Sequence, residues 1–186
     1  MYGSSLVAAR PGAHDGSALL GAPRANSSGG DTIATEANGV TTAERNAAIF
    51  RRIIEEGFNR GDLAAMDALV AADMREHQLG AQPGLAGLKE TIGGLRRDFP
   101  DFSLAIEDLV AEGDKVWGRL RSHGIHRAGF FGQPYTGKPI AIDVIDICRF
   151  EDGKMVEHWG IPDRFSLLAQ LGLLPRPERA AGAGAQ

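Results

Sequence analysis

At 186 residues, with 43% hydrophobic and 24% charged residues, the chain has the composition of a globular protein with room for one domain and a tail. Its net charge of −4 argues against nucleic acid or an anionic membrane as the main partner, because both require a concentrated basic face. The single cysteine, Cys148, excludes an intrachain disulfide, and no apolar run approaches the roughly 20 residues of a membrane span, so a cytoplasmic protein is expected.

Residues 1–40 are rich in Gly, Ala and Ser, contain Pro11 and Pro23, and hold no sustained period of 2 or 3.6. They read as a flexible tail without a secretion signal, and residues 176–186 read as a second tail. The expected domain spans 41–175. Thr41 and Glu44 have capping-box spacing, and Ile49, Phe50, Ile53, Ile54 and Phe58 then form one helical stripe. Asn59-Arg60-Gly61 stops this helix. Asp62 caps a shorter one with Leu63, Met66, Leu69 and Val70 on its apolar side, and a third runs from Pro83 to Phe99, where Pro100 ends it.

From Phe102 onward the period becomes two. Phe102, Leu104 and Ile106 alternate, Glu112-Gly113-Asp114 turns the chain, and Val116 to Gly124 forms a second strand. Ile140 to Glu151 and Lys154 to Ile161 form a long hairpin about Asp152-Gly153, a pair that tolerates the positive φ of a type I′ turn. Arg164 to Leu171 is a final short helix ending at Gly172. Helices followed by antiparallel strands predict an α+β fold, a curved antiparallel sheet covered by about three helices. Ile145, Ile147 and Val156 on the other sheet face favour a homodimer.

Closing the turn between Glu151 and Lys154 without irregularity pairs Phe150 with Met155, Cys148 with Glu157, Ile147 with His158 and Asp146 with Trp159. Asp146 then lies among Ile142, Val144, Cys148 and Phe150 as a lone carboxylate on an apolar face. Ionisation there is costly, which marks Asp146 as the first candidate for proton transfer. In this register His158 falls on the opposite face, toward solvent or a partner. Trp159 becomes a flat wall beside Asp146, and Cys148 a small buried core residue.

Four segments, FNRGDLAAMDALVAADMREH, GLAGLKETIGGLRRDFPDF, EDLVAEGDKVWGRLRSHGIHRAGFFGQPYTGKPI and IDICRFEDGKMVEHWGIPDRFSLLAQLGLLP, resemble the SnoaL-like polyketide cyclases and ester cyclases. The resemblance runs from about Ala48 to Pro175. It implies the cone-shaped α+β fold shared with ketosteroid isomerase and nuclear transport factor two, usually dimeric. It also implies ring closure by intramolecular aldol chemistry on a small hydrophobic carbonyl or polyketide-like substrate. One pocket Asp serves as acid and base, and no metal or cofactor is required. Asp146 occupies the position of that acid. Other members hydroxylate, isomerise or open epoxides, so the fold leaves the reaction open.

The remaining candidates follow from the residues around Asp146. Arg119 and His126 lie in GRLRSHGIH; either would hold a developing enolate oxygen, and Arg119 would alternatively pair with Asp146. His77 closes DMREH at the family's pocket wall, against a plain reading as a histidine satisfied at the core edge. Phe130, Phe131 and Tyr135 form an aromatic lid or a plug. Four histidines with Asp146 suggest a metal, but His123 and His126 diverge on a strand and no ligand spacing supports one. Gly132 to Lys138 resembles a phosphate loop only until Pro139, which takes the place of the magnesium-binding hydroxyl.

The first expectation is therefore a cofactor-independent cyclase. An epoxide hydrolase would need two acids and an Arg around one water, hence another carboxylate such as Asp163 or Glu157 near Asp146. A non-catalytic binding protein would show Asp146 bonded to Arg119 with no open cavity.

Overall fold

The structure is a computed structural model and describes residues 39–127 and 134–174. The tails expected at 1–40 and 176–186 lie outside these residues except for Gly39 and Val40, and so do Phe130 and Phe131.

Helix α1, Thr42–Arg52, begins at the capping box: the Thr41 hydroxyl accepts from the Glu44 amide, and the Glu44 carboxylate accepts from the Thr41 amide. The stripe then continues in a different geometry. Ile53–Asn59 is a π-helix, so the apolar run that reads as one α-helix widens at Ile53 and carries Phe58 to the cavity described below. A short helix α2, Met66–Leu69, follows, and α3 spans Gly84–Asp98. Val70 is not helical: it opens β1, Val70–Glu76, a strand the periodicity does not reveal. Among the described residues β1 pairs with a single strand, distant in sequence, and a shift between Val70 and Arg75 breaks its alternation, so neither face reads cleanly.

Strands β2 (Ser103–Glu112), β3 (Lys115–Ile125), β4 (Pro139–Glu151) and β5 (Lys154–Pro162) complete a five-stranded sheet, and α4 spans Arg164–Leu171. The order is β1-β5-β4-β3-β2; three pairs are antiparallel, and the β1–β5 edge is parallel. The sheet is mixed and curved instead of purely antiparallel. Phe50, Met66, Ile92, Phe99, Val116 and Leu120 are each at most 1% exposed and join helices to the inner sheet face. Emptying such a position costs about 2–5 kcal/mol.

The β4–β5 hairpin turns as the sequence predicts, with Asp152 at φ 48° and Gly153 at φ 75°. Its register departs from expectation one step later. Phe150 pairs with Met155, but Arg149 pairs with Glu157, leaving Val156 as an extra residue in β5. Every residue beyond that bulge changes face. Cys148 now opposes His158, Ile147 opposes Trp159, and Asp146 opposes Gly160. His158 thus joins the face of Asp146, and Trp159 leaves it, both contrary to the regular pairing. The cause is legible in the pairs themselves: the bulge matches Arg149 with Glu157 and Ile147 with Trp159, where the regular register opposes Cys148 to Glu157 and Ile147 to His158.

Candidate active site

Between the helices and the inner sheet face lies a cavity of about 310 Å3. Its apolar wall comes from Phe58 at the π-helix, Leu88 and Leu95 of α3, Phe99, Phe102, and Ile140, Ile142 and Val144 of β4. Its polar groups include Glu76, Gln78, Asp98, Asp146, His158 and Arg164.

Three of these groups form one chain of contacts. The His158 Nδ1 lies 2.9 Å from each carboxylate oxygen of Glu76, and its Nε2 lies 3.4 Å from Oδ1 of Asp146. The side chains are 11%, 5% and 10% exposed for His158, Glu76 and Asp146. Glu76 Oε1 also accepts the Gln78 amide at 2.8 Å. Burial alone would lower the His158 pKa; the hydrogen bonds to Asp146 and Glu76, with their charges, outweigh it and push it up to about 10. At neutral pH His158 is an imidazolium beside Asp146, so the acid is not the lone carboxylate that the strand pattern suggests. Cys148, next on this face, is buried; burial first, then the charges of Asp146 and Glu76, hold its thiol well above the ordinary range, as suits a core residue.

The other candidates are placed elsewhere. Arg119 opposes Ile145 on the outer sheet face, where its Nε donates to Asp108 at 2.7 Å. His126 is fully buried beyond the strand end, 2.9 Å from the Thr136 hydroxyl and packed on Phe99, a cavity residue that it backs without lining the cavity. His77 stacks on Trp159, with ring centroids 4.7 Å apart and planes within 4°, and contacts Glu157 Oε1 at 2.9 Å. That stack belongs to the outer face, with Ile147. Tyr135 is 61% exposed and outside the cavity lining. Glu157 binds Arg149 and Arg75 on the outer side, and the contacts with Arg149 and His77 hold its carboxyl below its ordinary range. Asp163 caps α4 by accepting the Ser166 amide at 2.9 Å. Sequence reasoning missed Glu76, whose strand was not expected, and turned His158 away; the charge and apolar matching across the hairpin was the available signal. Among the described residues no group of three or more His, Cys, Asp or Glu is placed to hold a metal ion, and no helix is long and apolar enough to cross a membrane.

A family model described as SnoaL-like polyketide cyclase matches residues 48–171. Among solved structures, TsrD of Streptomyces laurentii is 28% identical, covers 70% of this chain and 96% of its own, and superposes with a TM-score of 0.65. IdmH of Streptomyces antibioticus, described as a candidate polyketide cyclase, is 33% identical with a TM-score of 0.61, covering 68% of this chain and 98% of its own. AclR of Streptomyces galilaeus, described as a candidate hydroxylase, is 28% identical with a TM-score of 0.65, covering 74% and 91%. Among curated proteins none matches. With two-thirds of its length under the family model and its cavity formed within that span, the chain belongs to the SnoaL-like polyketide cyclases.

Proposed function

We propose that the protein is a cofactor-independent cyclase that closes a ring in a polyketide-like carbonyl compound by intramolecular aldol chemistry. The observation that carries this reading is the buried Asp146–His158 pair in the wall of a largely apolar cavity. Asp146 takes a proton from a carbon between two carbonyls, and the electron pair moves onto oxygen as an enolate. The imidazolium of His158, beside Asp146, stabilises that negative charge. The enolate carbon then attacks a distant carbonyl of the same molecule, forming the new C–C bond. Asp146 returns its proton to the resulting alkoxide, so the product is an isomer of the substrate unless water is later lost. Glu76 acts through His158 by holding its Nδ1 and keeping it charged.

The rival readings lose the contacts they require. Glu157 and Asp163 are engaged away from Asp146. The acid that does lie near it, Glu76, has its carboxylate taken up by His158 and the Gln78 amide, which favours the cyclase reading over water activation. Arg119 is bonded to Asp108, and the cavity is open, so the arrangement expected of a non-catalytic binder is absent among the described residues.

We further read the protein as a cytoplasmic homodimer acting in secondary metabolism. Val110, Trp117, Ile147 and Trp159 form one row across four strands of the outer face, with Ile145 and Ile161 beside it. Trp117 and Ile161 are 52% and 63% exposed, a band that a second copy would cover.

The test is turnover of poly-β-carbonyl esters, read by mass spectrometry as a product of unchanged mass or of mass less one water. Asp146→Asn should lower the rate by about 100-fold or more, with circular dichroism unchanged. Full turnover in that variant removes Asp146 from the mechanism.

A further inference from the structure

Gln78 follows β1 immediately beyond Glu76 and His77, and its backbone amide is pinned by Glu76 Oε1 at 2.8 Å. Its side chain lines the cavity together with Glu76, Asp146 and His158. The carboxamide lies across β5 at Gly160, the residue paired with Asp146. A Cβ at Gly160 would collide with Oε1 of Gln78 and come within 2.9 Å of Cε1 of His158. Glycine at this point is therefore what lets an amide side chain rest beside the acid–imidazolium pair. Although Gln78 is half-buried, its carboxamide makes no hydrogen bond to any described residue. A half-buried amide at a cavity wall, with both N–H donors and its carbonyl unengaged by the protein, is available to a ligand.

From this placement we propose that the Gln78 carboxamide is a substrate-binding group that makes the cavity selective for 1,3-dicarbonyl compounds. The inference rests on the acid–base reading of Asp146 and adds the second oxygen site. A proton between two carbonyls leaves an enolate with charge on two oxygens. Two donors flank the position of Asp146: the imidazolium of His158 and the amide of Gln78. One oxygen is held by each. A monoketone uses only one of them and leaves the other donor unsatisfied, which is the basis of discrimination. The terminal bond of the glutamine side chain turns at low cost, so the N–H edge is readily presented.

Equilibrium binding of 2-acetyl-1-tetralone and 1-tetralone, a diketone and its monoketone parent, tests the assignment without turnover. The wild type should prefer the diketone by about tenfold or more, the worth of one hydrogen bond to a charged acceptor. Gln78→Leu should erase that preference while leaving 1-tetralone affinity within about twofold, because only the donor is lost. Gly160→Ala, which evicts the carboxamide, should erase it too and serves if the leucine variant fails to fold. No preference in the wild type, or a preference that survives in either folded variant, overturns the assignment. Because nothing is converted, this outcome is independent of whether Asp146 closes a ring.

Discussion

His158 presents Nδ1 to both oxygens of Glu76 at 2.9 Å and Nε2 to Asp146 at 3.4 Å, so one ring on β5 bridges acids carried by the strands on either side. The groups facing it are Glu76 of β1 and, from β4, Asp146 and the buried Cys148. Its pKa of about 10 exceeds the ordinary 6.5, so the charged ring stabilises the fold fully below about pH 6.5 and loses that contribution as pH rises toward 10. Urea denaturation between pH 7 and pH 8.5 should show stability falling on the order of 2 kcal/mol, at about 1.4 kcal/mol per unit. In His158→Gln the slope should largely vanish. A flat wild-type profile would show that the ring is not held charged.

Glu76→Gln keeps the shape of the side chain and removes one of the two charges on the ring. The imidazole resonances of His158, followed by nitrogen-detected NMR, should then titrate closer to neutral pH than in the wild type. Turnover should acquire a basic limb where the wild type has a plateau, chiefly in kcat. Glu76→Asp should restore part of the plateau. A drop in melting temperature with an unmoved pH profile would mean that Glu76 is structural only.

Deleting Val156 removes the bulge residue and leaves Glu157 opposite Arg149 and His158 opposite Cys148 in an unbroken ladder. His158 should stay on the face of Asp146, keep its raised pKa and support turnover, because its pairing with Cys148 sets its face. Loss of turnover in a variant whose circular dichroism is unchanged would show that pairing alone does not place His158 for catalysis.

The outer apolar row predicts association. Trp117→Glu places a charge in the middle of that row, opposite Ile147 and Val110, where a second copy would have to desolvate it. Sedimentation should show a dimer for the wild type and a monomer for the variant. A wild type that sediments as a monomer at micromolar concentration refutes the interface.

Local chemistry alone accounts for the α1 cap at Thr41 and Glu44, the end of α3 before Pro100, the Asp152-Gly153 turn and the strand character of β2 to β5. Each depends on residues within a few positions of one another, where backbone preference and side-chain spacing act directly. The α+β class and the placing of Asp146 on the inner face follow from the same periodicity. Tertiary structure decided what surrounds Asp146. A bulge of one residue is nearly neutral locally and is selected by pairing across the hairpin, Arg149 with Glu157 and Ile147 with Trp159, yet it reverses the face of His158. Glu76 reaches that ring only because β1 docks parallel on β5, a contact separated by 82 residues in the chain. Arg119 and His77 sit on or behind strands whose outer side the sequence could not distinguish from the pocket, because both faces of this sheet carry apolar residues.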